Sequence, residues 1–312
     1  MSTAAFPASP GPSPVFVTTA YGGPEHQKLS HREIPAPRPG EIGIEVRAAG
    51  VNPADAKRRE GLFGTSGPLP LAMGLEASGV VTAVGEGVEG FAPGDAVLGS
   101  PARGLGAFAA HTVLRAADTV PKPETLPFAE AATLPVAGTT AYDLLHQLPL
   151  AKGAAVLVLG AGGGVGRMVL QLAEVRGLRA LGIASEAKRA LIEETGAAFV
   201  PSGKAAGPAV RALVPEGAAA LIDLVGGEPL RDLAPLVADP SGVVSAADAS
   251  TAEELGGAGL ANSGGALAHV TELAAAGRVD PHVLLTFPLD RAAEAMAELE
   301  HGHHGGKLVI TP

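Results

Sequence analysis

The chain has 312 residues, carries 22 Lys and Arg against 32 Asp and Glu for a net charge of −10, and contains no cysteine. This length predicts two domains, the diffuse acidic charge argues against a nucleic-acid partner, and the lack of cysteine excludes disulfides, thiol nucleophiles and zinc thiolates. No run of 18 apolar residues lacks glycine or charge, and the chain starts without the basic and apolar segments of a secretory signal. We therefore expect a cytoplasmic protein with no membrane segment.

A mostly antiparallel β domain is predicted for residues 15 to about 122, after a leader at 1–14 that is rich in Pro, Ser and Ala and is expected to be frayed. Within it, Ile42, Ile44 and Val46 alternate with more polar residues, and this period of two indicates a half-buried strand. Glycine-rich turns separate the predicted strands, which lie at 41–48, 79–84 and 96–98.

After Pro127 strands alternate with helices, a pattern typical of a parallel doubly wound sheet. The continuous apolar run at 154–159 predicts a strand that is buried on both faces. Helices are predicted at 128–134, 140–148, 165–176, 186–195 and 266–276, and further strands at 178–184, 198–200, 219–224 and 243–245. The last predicted elements are a helix at 291–299 and a strand at 307–311, which we expect to return to the first domain.

A glycine-rich turn, GAGGGVG, follows the apolar run directly and opens the next predicted helix. Such a turn lets the backbone approach a pyrophosphate, and the free N–H groups at the start of the helix face the phosphates. Two registers fit, AxGxxG and GxxGxxG, and a plain structural turn is the alternative. The strand–turn–helix context favours a dinucleotide site, with contacts predicted from Gly160, Ala161, Gly163, Gly164, Val165 and Gly166.

The end of the second strand of this domain bears on the choice of dinucleotide. Ser185 stands where an Asp or Glu would bind a ribose 2′-hydroxyl, and Lys188 and Arg189 follow. A hydroxyl and two cations suit a 2′-phosphate, so NADPH is predicted as the cofactor rather than NADH. Glu186, one residue away, complicates this choice, and the alternative for Lys188 and Arg189 is a solvated helix face.

Short segments in a specific order extend from residue 15 to the end of the chain. They are YGGPE at 21–25, GVNPAD at 50–55, GLEASG at 74–79, FAPGDAV at 91–97, AATLPVAGTTA at 131–141, DLVGG at 223–227 and GKLVI at 306–310. Together with the glycine turn they resemble the medium-chain dehydrogenase/reductase superfamily, and more closely its zinc-independent quinone oxidoreductase branch, which is similar to zeta-crystallin. The resemblance implies an α/β protein: a GroES-like, mostly β catalytic domain over 1–122, completed by 283–312, and a Rossmann NADPH-binding domain over 123–282.

The zinc alcohol dehydrogenases of this superfamily carry GHExxG, whereas here Leu75 replaces the histidine ligand. Their first cysteine ligand would align near Asn52, and the chain has no cysteine, so the resemblance implies an enzyme without a metal site. Three histidines, His301, His303 and His304, are interpreted as a polar turn before the last strand rather than as ligands for a stray divalent ion.

Without a Lewis acid, the implied reaction is hydride transfer from NADPH to a quinone or an α,β-unsaturated carbonyl, which delocalises the incoming charge onto oxygen. Two other functions stay open. One is reduction of a 2-enoyl thioester, which a long basic channel would support, and the other is non-catalytic binding of NADPH. The resemblance also implies a homodimer that pairs the edges of two Rossmann sheets, with residues 243–245 near that edge.

The predicted catalytic residues are Asn52 and Phe63. The Asn52 amide could donate to the acceptor carbonyl or orient the nicotinamide ribose, and an Asx turn before Pro53 is the alternative. Phe63 stands where relatives often carry a tyrosine; it can stack on a flat ring but has no proton to give, so the proton would come from water. Asp55 is expected to hold the Asn52 loop.

The resemblance adds cofactor contacts outside the glycine turn, at Thr139, Val225, Ser245 and Lys307. For Thr139 the alternative is a helix N-cap, and for Lys307 it is a surface lysine.

Overall fold

Two compact units make up residues 11–302 and 305–312, the part of the chain that the computed structural model describes. The first unit extends to Val136 and is completed by Val283–Gly302 and Lys307–Pro312, and the second comprises mainly Ala137–His282. None of the described helices is long and apolar enough to cross a membrane.

Antiparallel strands dominate the first unit, as predicted. In chain order its elements are β1 (Pro12–Thr18), β2 (Gln27–Glu33), β3 (Glu41–Val51), α1 (Pro53–Arg59), β4 (Leu71–Ala72), β5 (Ala77–Val84), β6 (Ala96–Pro101), β7 (His111–Pro121) and α2 (Phe128–Ala131). β3 pairs antiparallel with β5 and β7, and β1 pairs antiparallel with β2 and β4. The alternation predicted for β3 is confirmed, because Ile42, Ile44 and Val46 are buried while Arg47 is exposed.

β1 begins at Pro12, inside the segment 1–14 that the composition predicts to be a frayed leader. Its Val15 and Val17 are buried in a small cluster with Ala72 and Ala109, which holds the strand in place. The prolines at 12 and 14 are tolerated because β4 pairs only with the last residues of β1 and leaves the rest of that edge without a long partner strand. Leader residues 1–10 lie outside the described residues.

The second unit is a parallel sheet with helices between its strands, which confirms the predicted fold class. Its strands are β8 (Ala155–Leu159), β9 (Arg179–Ala184), β10 (Ala198–Pro201), β11 (Ala220–Asp223), β12 (Val243–Ser245) and β13 (Ala258–Gly259). Its helices are α3 (Thr139–His146), α4 (Gly164–Val175), α5 (Arg189–Glu193), α6 (Ala206–Leu213), α7 (Gly227–Leu233), α8 (Ala249–Glu254) and α9 (Ala266–Ala275). The strand order is β10-β9-β8-β11-β12-β13, so the apolar run of β8 lies in the middle of the sheet and is buried.

Two predicted helices differ from the observed ones. The helix expected at 128–134 ends at Ala131 and is followed by a π-helical turn, Leu134–Gly138, because Pro135 has no N–H with which to continue an α-helix. The segment 123–136 belongs to the first unit, where α2 packs against β3 and β5. The helix expected at 186–195 begins as a 3₁₀ turn and becomes α-helical only from Arg189.

The last three elements complete the first unit. They are β14 (Val283–Pro288), α10 (Ala292–His301) and β15 (Lys307–Thr311). β15 pairs antiparallel with β3, with Leu308 opposite Val51, and in parallel with β14. The end of the chain thereby brings Lys307 beside the residues that precede α1.

Candidate cofactor and catalytic sites

The glycine turn connects β8 to α4 at the carboxyl edge of the parallel sheet. The backbone N–H groups of Gly160 and Ala161 both donate to the Ile183 carbonyl, at 3.1 and 3.2 Å, which ties the turn to the end of β9. Gly160 has a φ of +85°, a conformation that glycine adopts readily and other residues rarely do. The turn is therefore held by backbone contacts that need no side chain.

Gly166 and Gly163 serve this turn in different ways. A Cβ at Gly166 would lie 2.4 Å from the Gly160 carbonyl oxygen, so only glycine lets α4 pack this closely on the turn. A Cβ at Gly163 would meet nothing closer than that oxygen, 3.7 Å away. The backbone beside Gly163 is thus open to a ligand at the N-terminus of α4, where unpaired N–H groups favour phosphate.

A cavity of about 760 Å³ lies over this turn, formed by the ends of neighbouring parallel strands. Pockets for small ligands measure about 300 to 1,000 Å³, so the cavity has room for part of a dinucleotide. Five of the residues predicted to contact the cofactor line it, Gly160, Gly163, Ser185, Lys188 and Val225.

Ser202 and Lys204 also line this cavity, and the sequence reasoning missed both. They follow β10, which pairs in parallel with β9 and places Pro201 opposite Ala184. The ends of the two strands therefore meet at one edge, so Lys204 joins Ser185 and Lys188 there. The rule that located Ser185, which reads the residues after a buried strand, would have found Ser202 and Lys204 if applied to the next strand as well.

Glu186 does not bring a free carboxylate to this edge. Its two oxygens accept hydrogen bonds from Arg189 at 2.6 and 3.1 Å, which lowers the pKa of Glu186. Arg189 also pairs with Glu193 and lies over the Phe199 ring, 4.2 Å from its centroid. Among the described lining residues of the cavity, Asp232 is the one carboxylate.

Other residues predicted at the cofactor site do not line the cavity within the described chain. Thr139 begins α3, Ala161 is buried under the turn, and Gly164 and Val165 form the first turn of α4. The Ser245 hydroxyl donates to buried Asp223 at 2.5 Å and accepts from the N–H of Asp248 at 2.8 Å, so it joins the ends of β11 and β12.

Asn52 lies in a buried polar cluster of the first unit, where it caps α1. Its backbone N–H donates to the Asp55 carboxylate at 2.9 Å, which supports the expectation that Asp55 holds this loop. The Asn52 side chain donates through Nδ2 to Glu76 Oε1 at 2.7 Å and accepts through Oδ1 from Lys307 Nζ at 2.5 Å. The amide thus has a partner on each side, and Asn52 is only 3% exposed.

Lys307 and Glu76 complete this cluster. Lys307 Nζ lies 3.1 Å from Glu76 Oε1 and also donates to the Val51 carbonyl at 3.1 Å, so the surface position considered for it is wrong. The other oxygen of Glu76 accepts from the Val136 N–H at 2.7 Å. Glu76 is therefore satisfied by one ammonium, one amide and one backbone donor.

Asp55 is the member of the cluster whose hydrogen-bonding groups are least satisfied. It is 1% exposed, its Oδ1 has no hydrogen-bond partner among the described residues, and Glu76 is a second buried carboxylate nearby. Burial raises the pKa of Asp55 to about 7, opposed in part by the hydrogen bond from the Asn52 backbone. This carboxyl therefore titrates near neutral pH.

The residues at the position of the superfamily's catalytic metal do not fit zinc. Leu75 has no donor atom, the chain has no cysteine, and the Lys307 ammonium already neutralises Glu76. Among the described residues no group of three His, Cys, Asp or Glu is arranged to hold a metal. His301 ends α10, where its Nδ1 lies 2.6 Å from the Ala297 carbonyl oxygen, and His303 and His304 lie outside the described residues.

Phe63, the second predicted catalytic residue, lies in the loop after α1 and is 64% exposed. Its neighbour Leu62 is 67% exposed, so this loop presents two apolar side chains on the surface of the first unit.

Comparisons with known proteins agree with this architecture. Two family models match: the alcohol dehydrogenase GroES-like domain at residues 38–124 and the zinc-binding dehydrogenase at residues 195–310. The synaptic vesicle membrane protein VAT-1 homolog of Rattus norvegicus is 40% identical over 185 residues, 58% of this chain and 45% of that protein, so the chain spans less than half of this relative. The chloroplastic NADPH-dependent alkenal/one oxidoreductase of Arabidopsis thaliana is 32% identical over 95% of this chain and 79% of its own length. The solved structure of the quinone oxidoreductase from Coxiella burnetii has a TM-score of 0.86 at 28% identity, covering 96% of this chain and 99% of that one.

Proposed function

Because the chain belongs to the medium-chain dehydrogenase/reductase superfamily, we propose that it is an NADPH-dependent oxidoreductase that reduces a quinone or an α,β-unsaturated carbonyl without zinc. The observation that carries the proposal is the cavity where a bare glycine turn meets Ser185, Lys188 and Lys204. The names of the Arabidopsis relative and of the Coxiella structure, an alkenal/one oxidoreductase and a quinone oxidoreductase, support this choice of acceptor.

The charge at the strand ends supports NADPH over NADH. Lys188 and Lys204 contribute two ammonium groups, and Ser185 contributes a hydroxyl, to the edge where a 2′-phosphate would lie. An NADH site would place a carboxylate there for the ribose hydroxyls, and Glu186 is instead engaged by Arg189. The backbone beside Gly163 and the start of α4 would hold the pyrophosphate.

A bound NADPH would supply a hydride to the β-carbon of an enone, and the electrons of the C=C bond would be displaced so that the negative charge would rest on the carbonyl oxygen. The protein's task is to align the two partners and to stabilise the charge on that oxygen. Phe63 stands where relatives often carry a tyrosine, and its ring has no proton to donate. We therefore assign to water the proton that completes the reaction.

We assign Asn52 a positioning role in this reaction. Its amide is already engaged by Glu76 and Lys307, so its described contacts hold these two charged groups in one geometry. Lys307 supplies a positive charge beside Glu76. This buried carboxylate needs a positive partner, and the ammonium group takes the place that a metal ion could otherwise have. Contacts from Lys307, Thr139 and Ser245 to the cofactor, and stacking by Phe63, stay predictions.

The experiment that tests this function is NADPH oxidation against a panel of quinones, enones and 2-enoyl thioesters, with NADH alongside and with a chelator in parallel. We expect turnover of quinones or enones with NADPH, undiminished by the chelator. Turnover restricted to thioesters would favour the enoyl thioester reductase. Tight NADPH binding with no turnover would favour a non-catalytic binding protein, and loss of activity together with one bound zinc per chain would contradict the metal-free reaction.

A cytoplasmic location and a homodimer belong to the same proposal. The described sheet of the second unit ends at β13, one strand beyond the predicted segment 243–245, so we assign the dimer contact to the edge of β13.

A further inference from the structure

A second cavity, of about 400 Å³, lies in the first unit beside the segment that contains Leu75. Its lining includes three arginines, Arg58 at the end of α1, Arg103 in the turn after β6, and Arg115 on β7. No carboxylate is among its described lining residues. In a chain whose net charge is −10, this is a local concentration of positive charge.

The guanidinium groups that line this cavity remain available to bind a ligand. The side chains of Arg58 and Arg103 form no hydrogen bond or ion pair within the described chain, although the charge of Arg58 is close enough to Asp55 to favour the ionised form of that carboxyl and so lower its pKa. Arg115 pairs with Asp118, and both side chains are about half exposed, so this ion pair is weak and open to competition. Arg32 does not line the cavity, but its Nη1 donates to the carbonyl of the lining residue Gly104 at 3.4 Å and adds a fourth positive charge nearby.

We infer that this cavity binds an anionic group on the acceptor, so that the preferred substrate is an enone or quinone that carries a carboxylate or a phosphate. The inference rests on the proposed function, because Leu75 stands at the position where the zinc relatives bind the metal that meets their substrate's oxygen. Arginine suits this task, since its planar fork binds carboxylate and phosphate through two parallel hydrogen bonds.

The volume narrows the class of acceptor. About 400 Å³ is near the lower end of small-ligand pockets, which suffices for one ring or a short chain with its anionic group. A small carboxylate therefore fits the cavity better than the long carrier arm of a thioester. Arg58 is the central contact, since it is half-buried and lies on a helix whose N-terminal end is fixed by the Asn52 cap.

The test compares acceptors that differ only in charge. All acceptors are assayed with NADPH in matched pairs. The first pair is 4-oxo-2-pentenoic acid and its methyl ester, and the second is a naphthoquinone with and without a sulfonate group. The third pair compares crotonyl-CoA with the neutral crotonyl N-acetylcysteamine thioester. We expect kcat/KM to favour the small anion by about tenfold, the size of one charge-assisted contact. In the double variant R58A/R103A, kcat/KM for the acid should fall at least tenfold more than kcat/KM for the ester. The control R38A removes an exposed arginine elsewhere in the unit and should leave the ratio of the two kcat/KM values unchanged.

A binding measurement separates this inference from the proposed function. Titration calorimetry with 4-oxopentanoate, the saturated acid, and with its methyl ester requires no turnover. Preferential binding of the acid that is lost in R58A/R103A supports the inference even if no acceptor is reduced. Equal turnover of acid and ester, or equal binding of the two, overturns the inference while NADPH oxidation still supports the oxidoreductase. A preference for crotonyl-CoA over its neutral analogue with none for the small acids would also overturn it.

Discussion

The Asn52 side chain lies between the Glu76 carboxylate and the Lys307 ammonium group. Exchanging its NH₂ group for an oxygen therefore changes a hydrogen-bond donor into a charged acceptor. Replacement by Asp would place a carboxylate oxygen where Nδ2 now donates to Glu76 Oε1 at 2.7 Å, beside a second buried acid, Asp55. We expect Asn52→Asp to lower the free energy of unfolding by about 3 to 5 kcal/mol, the cost of a poorly compensated buried charge.

Asn52→Ala removes the side-chain hydrogen bonds to Glu76, Lys307 and the Gly50 carbonyl but adds no charge, so we expect a smaller loss in the free energy of unfolding, of about 1 to 3 kcal/mol. Thermal unfolding and kcat for both variants test this order. Both should lower kcat because Lys307 and Glu76 lose their common partner. If Asn52 served only as a turn residue, Asp would be the milder change and kcat of the folded Asp variant would stay near wild type.

Asp55 predicts a pH dependence of stability. Burial raises its pKa from the ordinary 3.8 to about 7, so the folded state binds this proton more tightly than the unfolded state. The contribution is therefore fully present below pH 3.8 and is lost as the pH rises towards 7, by about 4 kcal/mol at most. Asp55→Asn keeps an acceptor for the Asn52 N–H and cannot ionise.

We accordingly expect Asp55→Asn to raise the Tm at pH 8 and to have a much smaller effect at pH 5. The exposed Asp290→Asn serves as the control, with little change at either pH. A Tm difference that did not depend on pH would show that Asp55 does not titrate in this range.

Lys188 and Lys204 should both contribute to the choice of cofactor. Replacing either with Ala should raise the KM for NADPH about tenfold, the size of one partly exposed charge-assisted contact, and should change the KM for NADH little. Steady-state kinetics with both cofactors measure this, and Lys152→Ala, an exposed lysine outside the cavity, is the matched control. Equal losses with NADPH and NADH would place the contact elsewhere than at the 2′-phosphate.

The turn between β8 and α4 shows why a glycine string must be interpreted position by position. We expect Gly166→Ala to lower the Tm, because its Cβ would lie 2.4 Å from the Gly160 carbonyl oxygen. Gly163→Ala should fold normally, since nothing lies within 3.7 Å of its Cβ, yet should weaken NADPH binding at least tenfold by filling the space for the pyrophosphate. Unfolding curves and cofactor titrations distinguish the two, and unchanged binding in the Gly163 variant would contradict a phosphate site there.

The predicted dimer would form through the outer edge of β13. This short strand pairs in parallel with β12 and is the last strand of the described sheet, and the Gln147 side chain donates to its Gly259 carbonyl at 3.1 Å. We expect the mass of a dimer by light scattering at micromolar concentration. A proline at Ala258 should shift the protein towards the monomer, and a monomeric wild type would remove the prediction.

The local pattern of the chain was sufficient for the fold class and for the position of the glycine turn. The alternation in β3, the apolar run of β8 and the spacing of strands and helices follow from burial on one or two faces, which each segment carries in its own residues. β1 and β2 escaped prediction because prolines at 12 and 14 and the polar residues of an exposed edge strand hide their periodicity.

The partners of the polar residues depend on contacts between distant segments. Lys307 reaches Asn52 because β15 pairs with β3, and Lys204 joins Lys188 because β10 pairs with β9. The return of residues 307–311 to the first unit is expected from the sequence, and the residues after β10 could have been read in the same way as those after β9. The exact register that joins Lys307 to Asn52, however, is set by the packing of the complete sheet. The residue types and the cofactor motif could therefore be identified from the chain alone, whereas the buried charge cluster and the arginine-lined cavity required the folded structure.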